Sequence, residues 1–323
     1  MTTTSVPLKR NPPKRGLLAI IVGAQTPMQV REAVEGYLFA LPWILGLIIF
    51  FGGPVIASMV LSFTHYDILA RPQFAGLENY AKAFFDDKLF WPSMARTFMY
   101  AAVVVPTALC GSLCLALLLN QKLKGTNVFR TIFFVPHLTP IVAVAVIWSW
   151  LLHPNLGPVN GYLEMLGING PGWFTSRQWA LPATILVSIW MYLGGNAMLI
   201  FLAGLQGVPE ELYEAADLDG ASNWNKFRNI TLPLISPTIF FNLILGIIAA
   251  MKVFGLAFVT TAGGPAYATW FFALHIYNQA FEFYRLGYGS ALAWLFAIVL
   301  IVFTVFQLRL SKRWVYYEGE GPA

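Results

Sequence analysis

The chain has 323 residues, of which 58% are hydrophobic and 11% are charged, and its net charge is +5. Soluble domains carry roughly 25% charged residues, so this composition excludes a soluble globular protein and predicts a chain surrounded by lipid. The basic residues lie between hydrophobic segments and form no basic face with interleaved aromatic residues. This distribution argues against nucleic-acid binding.

The first 36 residues are predicted to form a cytoplasmic tail. Within it, the apolar run at residues 16–24 follows Lys14 and Arg15. The run is too short to cross a hydrocarbon core about 30 Å thick, and it resembles a signal peptide with a small-residue cleavage site. We favour a retained tail, because the next hydrophobic segment follows soon afterwards and can insert without cleavage.

Six hydrophobic segments of about 20 residues follow, each long enough to cross a bilayer as an α-helix. They lie at about residues 38–61, 98–119, 132–152, 179–205, 238–259 and 288–310. The predicted fold class is therefore all-α, a polytopic membrane protein. Its transmembrane domain covers residues 37–317, and residues 318–323 form a C-terminal tail. In the first segment, Gly52-Gly53-Pro54 predicts a kink or an early helix end, because proline removes a backbone donor.

The distribution of Lys and Arg predicts the orientation, because basic short loops stay in the cytoplasm. With the N-terminus inside, the cytoplasmic segments hold thirteen cations, the outer segments hold six, and Lys252 lies within a span. The thirteen are Lys9, Arg10, Lys14, Arg15, Arg31, Lys122, Lys124, Arg130, Lys226, Arg228, Arg309, Lys312 and Arg313. The six are Arg71, Lys82, Lys88, Arg96, Arg177 and Arg285. Both termini are therefore predicted to be cytoplasmic.

Residues suited to catalysis or metal binding form no recognisable cluster in the sequence. Cys110 and Cys114 lie four residues apart within the second hydrophobic segment, where they fit small packing residues on one helix face better than a disulfide or metal pair. The four histidines show no metal-ligand spacing; they are His65, His137, His153 and His275. The sequence thus predicts no catalytic residue and no metal site.

The connection between the fourth and fifth segments, residues 208–237, is long and polar. Pro209 suits the first turn of a helix, and Gly220 can end that helix in a left-handed conformation. A short helix is therefore predicted over residues 209–219. Ser222 can cap a second helical piece that Pro233 limits.

This loop has the composition of a docking face for another protein. Its small residues let a partner's backbone approach closely; they are Ala215, Ala216, Gly220 and Ala221. Around them lie acidic residues and apolar anchors that a bare loop has little reason to expose. These are Glu214, Asp217, Asp219, Leu212, Tyr213 and Leu218.

The spacing Glu-Ala-Ala, three residues, Gly, nine residues, Ile, one residue, Leu-Pro resembles the EAA motif of binding-protein-dependent ABC transporter permeases. The matching positions are Glu214, Ala215, Ala216, Gly220, Ile230, Leu232 and Pro233. The rest of residues 36–317 is similar to the sugar-type branch, the relatives of maltose and glycerol-3-phosphate permeases. The segments that carry this similarity are residues 37–42, 61–64, 129–136, 200–206, 263–265 and 287–291.

The resemblance implies one permease half of an ATP-driven importer in the bacterial inner membrane. Its implied partners are a second permease, related but different, two cytoplasmic ATP-binding subunits and an extracytoplasmic substrate-binding protein that delivers a carbohydrate. No Gly-x-x-x-x-Gly-Lys-Ser/Thr loop occurs in the chain, so ATP and Mg are expected on the partner subunits and no cofactor on this chain. The permease itself is expected to catalyse nothing.

The resemblance also implies roles for particular residues. The short helix would be a coupling helix seated in a cleft of the ATPase, where Glu214 helps to hold it and Gly220 allows the turn beneath it. The expected coupling residues are Glu214, Ala215, Ala216, Asp219, Gly220 and Ala221. Gly263, Gly264 and Pro265 would lie at the outer gate; a flexible turn is the alternative.

Three polar residues inside the spans are candidates for the translocation pathway. Lys252 should face a water-filled cavity or a partner group, since an unpaired ammonium is costly in a membrane; reaching a polar neighbour for structural reasons is the alternative. Asn196 and Asn242 can face the pathway too, or form hydrogen bonds between helices.

Three other functions compete with the importer. A secondary transporter or channel acting alone also has six spans and an intramembrane lysine, but it leaves residues 214–233 unexplained. An integral membrane enzyme needs a polar catalytic cluster at one membrane face. An ABC permease for another solute class differs only in its cargo. The sequence leaves open the identity of the sugar, whether this chain holds the main substrate site, and which helix faces line the pathway.

Overall fold

The computed structural model describes residues 27–67, 71–121 and 125–316. The chain divides into two compact units between Val60 and Leu61. Most of the predicted N-terminal tail, including residues 16–24, and the predicted C-terminal tail lie outside the described residues.

The N-terminal unit is a long apolar helix in three parts. Helix α1, Pro27–Leu47, continues through a π-helical turn, Ile48–Gly52, into α2, Gly53–Ser62. The predicted early end at Gly52-Gly53-Pro54 is wrong, because the helix continues to Ser62. The Gly53 amide donates to the Ile48 carbonyl, so the extra residue of the π turn precedes Pro54 and adjusts the hydrogen-bond register there.

The second unit begins with a two-stranded antiparallel hairpin, β1 Thr64–His65 with β2 Gln73–Phe74, in which Thr64 pairs with Phe74. Helices follow along the rest of the chain. They are α3 Glu78–Phe85, α4 Phe90–Leu119, α5 Thr126–Leu138, α6 Ile141–Leu151, α7 Pro158–Met165, α8 Ala180–Tyr192, α9 Asn196–Gln206, α10 Glu210–Leu218, α11 Asn223–Lys226, α12 Leu232–Leu234, α13 Ser236–Met251, α14 Gly255–Thr261, α15 Phe272–Tyr277 and α16 Leu286–Ser311. Two further π-helical turns cover Phe227–Thr231 and Asn278–Glu282.

Within the described residues, four helical stretches are long and apolar enough to cross a membrane. They are Arg31–Ser62, Phe90–Leu119, Ser236–Thr261 and Leu286–Ser311. Two helix pairs pass the same test only when taken together, α5 with α6 and α8 with α9. By length and composition the chain therefore offers four spans, or up to six if each bent pair is one span.

The two bent pairs differ from the straight helices that the hydrophobic segments suggest. Helices α5 and α6 meet at 94° around Thr139-Pro140, where Thr139 is extended because a residue before proline avoids the α region. Helices α8 and α9 meet at 43° around Gly194-Gly195. A Cβ on Gly194 would lie 2.2 Å from the Phe133 carbonyl oxygen, so only glycine lets α5 pack against this break.

Helix α4 is the central element of the second unit, and its two ends define the two regions discussed below. Its 30 residues span about 45 Å at 1.5 Å per residue. Near Phe90 it packs with α15 and α16 through Phe272 and Tyr288, and we name this the far end. Near Leu119 it packs with α9 and with Ile235, and we name this the coupling end.

Candidate functional site

The coupling segment, residues 210–234, forms a helix, a turn and a second helical piece. Helix α10 begins after Pro209, and Gly220 turns the chain with a φ of +72°, in the left-handed region where glycine is favoured. The Ser222 hydroxyl then accepts from the Asn225 amide and caps α11. These elements match the helix, turn and helix that the sequence predicts.

Two side-chain contacts fix the coupling segment to itself. Tyr213 on α10 and the buried Thr231 share a hydrogen bond of 2.8 Å between their hydroxyls. The ammonium of Lys226 lies 2.7 Å from a carboxylate oxygen of Asp217 and joins the second helical piece to the first. Asp217 therefore forms an ion pair within the segment, whereas the sequence predicts that its charge is presented to a partner protein.

The inner face of the segment packs on the coupling end. Tyr213, Ile230 and Leu234 contact an apolar cluster that includes Leu119 and Phe201. Through Tyr213, α10 therefore packs against the cluster formed by the ends of α4 and α9.

The outer face of the segment displays the residues that the sequence singled out. Glu214, Ala215, Asp219 and Gly220 are exposed, and Ala216 and Ala221 are half-buried. Large apolar side chains stand exposed on the same segment: Leu218 is 91% exposed and Trp224 is 65% exposed. Acidic, small and apolar groups thus form one accessible surface, as a protein docking site requires.

A cavity of about 190 Å³ lies among α4, α13 and the two bent helix pairs. Its lining residues are Val104, Val105, Ala108, Leu109, His137, Tyr192, Asn196, Ala197, Ile200, Asn242, Leu245, Gly246, Ala249 and Ala250. The structure therefore brings together Asn196 and Asn242, two of the three candidate pathway residues. Sequence reasoning missed His137 and Tyr192, which the bends of α5 and α8 bring to the same cavity.

Two polar atoms of the cavity lining are buried without a hydrogen-bond partner among the described residues. They are Nδ1 of His137 and Nδ2 of Asn242. The His137 ring lies against Tyr192, with ring centroids 6.4 Å apart, and a Cβ on Gly195 would lie 2.7 Å from His137 Nδ1. Both nitrogens retain hydrogen-bonding capacity.

Lys252 lies within the apolar stretch Ser236–Thr261, as predicted, but at a local break in the helix. It follows the last residue of α13, Met251, at a break before α14 begins at Gly255, and it is exposed. It is not among the residues that line the cavity. The hydrophobic composition of residues 238–259 gave no signal for this break.

The predicted outer gate residues lie in a folded turn at the far end. Gly263 has a φ of +87°, in the left-handed region, and a Cβ there would lie 2.4 Å from the Trp270 ring. Both the backbone conformation and the close contact therefore require glycine at this position. The Thr269 hydroxyl donates to the Gly264 carbonyl at 2.9 Å and shares a hydrogen bond of 2.6 Å with Thr261. These hydrogen bonds hold the turn in one conformation.

A buried polar network, which we call the far-end network, joins that turn to the rest of the far end. Its centre is the Asp87 carboxylate, which lies 2.8 Å from His275 Nε2 and accepts from the Tyr288 hydroxyl at 2.5 Å. Trp270 Nε1 donates to His275 Nδ1 at 3.1 Å. Because Nδ1 accepts, it carries no proton, and Nε2 must donate to Asp87. The network thus assigns the tautomer of His275.

The far-end network keeps Asp87 ionised. Burial by itself raises the pKa of Asp87, but hydrogen bonds from His275 and Tyr288, with a further one from the Leu89 amide, lower it from 3.8 to about 2. The sequence held no signal for this network, since Asp87 and His275 are 188 residues apart and His275 lies in an apolar segment.

Comparison with known proteins supports the same view of the chain. Residues 108–316 match the family described as binding-protein-dependent transport system inner membrane component. A probable ABC transporter permease protein, YesP of Bacillus subtilis (strain 168), is 37% identical over 90% of this chain and 94% of its own length. The trehalose/maltose transport system permease protein MalF of Thermococcus litoralis is 34% identical over 88% of this chain and 96% of its own length.

A solved structure agrees with the fold. A bacterial ABC transporter involved in import of the acidic polysaccharide alginate contains a chain with a TM-score of 0.78 and 25% identity, covering 88% of this chain and 98% of that one. The protein is a multi-pass, mostly helical membrane protein of the transporter-permease class. It belongs to the family of binding-protein-dependent transport system inner membrane components.

Proposed function

We propose that this chain is the permease subunit of an ATP-driven importer for a saccharide, and that it forms one half of the translocation pathway. The observation that carries the proposal is the coupling segment, whose motif residues stand exposed on a helix anchored to two apolar helices. A secondary transporter acting alone has no use for such a surface. Family membership and the saccharide named for two relatives support the same assignment.

The proposed topology has six spans with both termini in the cytoplasm. Each bent pair then counts as one span, because neither α5, α6, α8 nor α9 alone reaches the roughly 20 residues needed to cross a bilayer. The coupling end faces the cytoplasm and the far end faces outward. The excess of Lys and Arg in the segments assigned to the cytoplasm supports this orientation.

The coupling segment would seat in a cleft of one of two ATP-binding subunits, with Glu214, Ala215, Ala216, Asp219, Gly220 and Ala221 at the contact. ATP and Mg would be bound by those subunits, and a second, related permease would complete the pathway. Closure of the ATPase pair would displace α10, and the packing of Tyr213 against the coupling end would carry that displacement to α4 and α9. No chemistry by this chain is needed, since the permease only changes which side of the membrane its cavity faces.

The cavity beside α4 would form this chain's share of the pathway. A saccharide presents hydroxyl groups that both donate and accept hydrogen bonds, and the amides of Asn196 and Asn242 can do the same. The unpartnered nitrogens of His137 and Asn242 are suited to such hydroxyls. Lys252, exposed at its break, would contribute only if the pathway extends beyond the cavity toward the far end.

A substrate-binding protein would deliver the saccharide at the far end, close to the turn with Gly263, Gly264 and Pro265. A solved alginate transporter in complex with an alginate pentasaccharide-bound periplasmic protein has the same permease fold, with a TM-score of 0.79. A carbohydrate is the proposed cargo because relatives that carry a substrate name, such as the trehalose/maltose permease, are named for saccharides.

The decisive experiment tests the coupling segment in the assembled complex. The complex is purified in proteoliposomes, and binding proteins of the same organism are tested until one stimulates ATP hydrolysis in the presence of a saccharide. We expect Glu214→Arg to abolish ATP-dependent uptake of that saccharide, a loss of at least about tenfold, because it places a cation where the ATPase contact needs an anion. The matched control is Glu164→Arg, the same reversal at an exposed residue of α7, which should keep uptake within twofold.

Two results would contradict the proposed function. One is purification of the chain without any ATP-binding subunit under conditions that preserve its fold. The other is uptake by the Glu214→Arg variant that equals that of the Glu164→Arg control.

A further inference from the structure

The far end carries a second pocket, of about 340 Å³, that shares no residue with the translocation cavity. We call it the cationic pocket. Its lining includes Arg71, Lys82 and Arg285, with one carboxylate, Asp67, among the described lining residues. The amide side chains of Gln73 and Asn79 also line it. The pocket is therefore concave, polar and positively charged.

The three cations are not neutralised within the part of the chain that the structure describes. Its ion pairs between permanently charged groups are Arg31 with Glu35 and Lys226 with Asp217, and neither includes a cation of the pocket. The nearby carboxylates Glu78 and Asp87 form hydrogen bonds with other residues, Glu78 with His65 at 2.6 Å and Asp87 within the far-end network. An excess of positive charge remains in the pocket for an anionic group from outside.

The backbone holds the pocket in shape. The Arg285 amide donates to the Gln279 carbonyl at 2.9 Å. The backbone of Arg285 also pairs with that of Asp67 as an isolated antiparallel β-bridge. The Gly287 amide donates to the Tyr66 carbonyl at 3.0 Å. Lys82 is placed over the Tyr288 ring, with Nζ 4.8 Å from the ring centroid, and Tyr288 is held by Asp87. The far-end network therefore supports the floor of the pocket.

We infer that the cationic pocket receives an acidic side chain, aspartate or glutamate, of the extracytoplasmic substrate-binding protein. This inference rests on the proposed function, which places the far end outside the membrane. Arg71 and Arg285 are exposed at the rim and present guanidinium groups, whose paired donors suit a carboxylate. The pocket lies apart from the cavity, so an anion held there contacts a docked protein without obstructing the solute.

The test uses the assembled complex in phosphatidylcholine nanodiscs and two probes. The first probe is a fluorescently labelled hexaglutamate peptide, followed by anisotropy. We expect it to bind at 50 mM salt, to bind at least tenfold more weakly at 500 mM salt, and to lose at least tenfold in affinity in Arg285→Glu. Arg285→Gln should lose less. The control, Arg177→Glu, reverses an exposed cation outside the pocket and should change the affinity by less than twofold.

The second probe is the purified binding protein that stimulates ATP hydrolysis in the uptake experiment. Arg285→Glu should raise, at least tenfold, the concentration of binding protein that gives half-maximal stimulation of ATP hydrolysis. The maximal rate of hydrolysis should be retained, since Arg285 takes no part in the coupling segment. Equal half-maximal concentrations in Arg285→Glu and Arg177→Glu overturn the inference. Binding of glucuronate as tight as that of hexaglutamate would also overturn it and would indicate a solute site. Phosphatidylglycerol that is retained by the purified wild type and lost from Arg285→Glu would overturn it too and would indicate a lipid site.

The outcomes separate this inference from the proposed function. If a binding protein stimulates ATP hydrolysis but no charge change in the pocket affects its half-maximal concentration, only the inference fails. If no binding protein stimulates hydrolysis at all, the proposed function fails with it.

Discussion

The coupling segment and the far-end network are built in opposite ways. The coupling segment draws its residues from one stretch, residues 210–234, and leaves its outer face exposed. The far-end network joins Asp87 to Trp270, His275 and Tyr288, which lie more than 180 residues further along the chain; His275 and Tyr288 are buried, and Asp87 and Trp270 are half-buried.

The difference reflects what each region has to do. A docking surface needs only a short helix with the right outer face, so a local sequence motif suffices. A frame that holds loops together needs bonds between elements far apart in the chain, and pairing its buried polar groups avoids a cost of about 1–3 kcal/mol for each unpaired one. Substitutions at the far end should therefore act on stability, and those in the coupling segment on transport.

The largest effect on stability is expected from Gly287→Ala at the far end. A Cβ at this position would lie 2.0 Å from the Thr64 carbonyl oxygen, so the start of α16 must move away from β1. Such overpacking costs about 3 kcal/mol, and the midpoint of thermal unfolding of the purified complex should fall by several degrees.

Gly220→Ala in the coupling segment is the matched comparison. No atom lies within 4 Å of a Cβ there, but the φ of +72° remains unfavourable for alanine. We expect a cost of about 1 kcal/mol with a clear loss of uptake. Equal unfolding midpoints for the two glycine variants would contradict the contrast between the regions.

Asp87→Asn is expected to have the next largest effect. With a pKa lowered to about 2 against about 3.9 in the unfolded chain, ionised Asp87 contributes about 2 kcal/mol of stability. Because its pKa is depressed, this contribution is present above about pH 4 and is lost as the pH falls from about 4 to 2.

The variant should thus be less stable at neutral pH, and its stability should change less than that of the wild type between pH 4 and 2. Unfolding midpoints across pH 2–7 measure both effects. Asp86→Asn, at the exposed neighbour, should reproduce neither of them, and a similar acid sensitivity in Asp87→Asn and the wild type would show that Asp87 does not titrate in this way.

A change in stability as small as that of Gly220→Ala is expected from Tyr213→Phe, which removes the hydroxyl that bonds Thr231. The loss of one hydrogen bond costs about 1 kcal/mol, but α10 is then less firmly joined to the second helical piece. We expect fewer saccharide molecules transported per ATP hydrolysed, with the ATPase subunits still bound. Tyr162→Phe, at an exposed tyrosine of α7, is the control. A wild-type transport ratio in Tyr213→Phe would assign the hydroxyl a structural role only.

The sequence predicted well wherever the signal was local. Gly220 and Ser222 lie two residues apart, and a left-handed glycine and a helix cap depend only on neighbours in the chain. It predicted less well where the signal was an average over many residues. The hydrophobicity of residues 132–152 and 238–259 conceals the bend at Thr139-Pro140 and the break at Lys252.

The sequence by itself determined the class of protein, because the length and number of apolar segments dictate a helical membrane protein and the motif at residues 214–233 indicates what drives it. Only the tertiary structure decided which polar residues meet. The bends of α5 and α8 bring His137 and Tyr192 to the cavity beside Asn196 and Asn242. The folding of the far end pairs Asp87 with His275 and gathers Arg71, Lys82 and Arg285 around one pocket. The physical reason is that contacts between distant residues depend on helix packing, and packing is set by shape at every position rather than by a pattern along the chain.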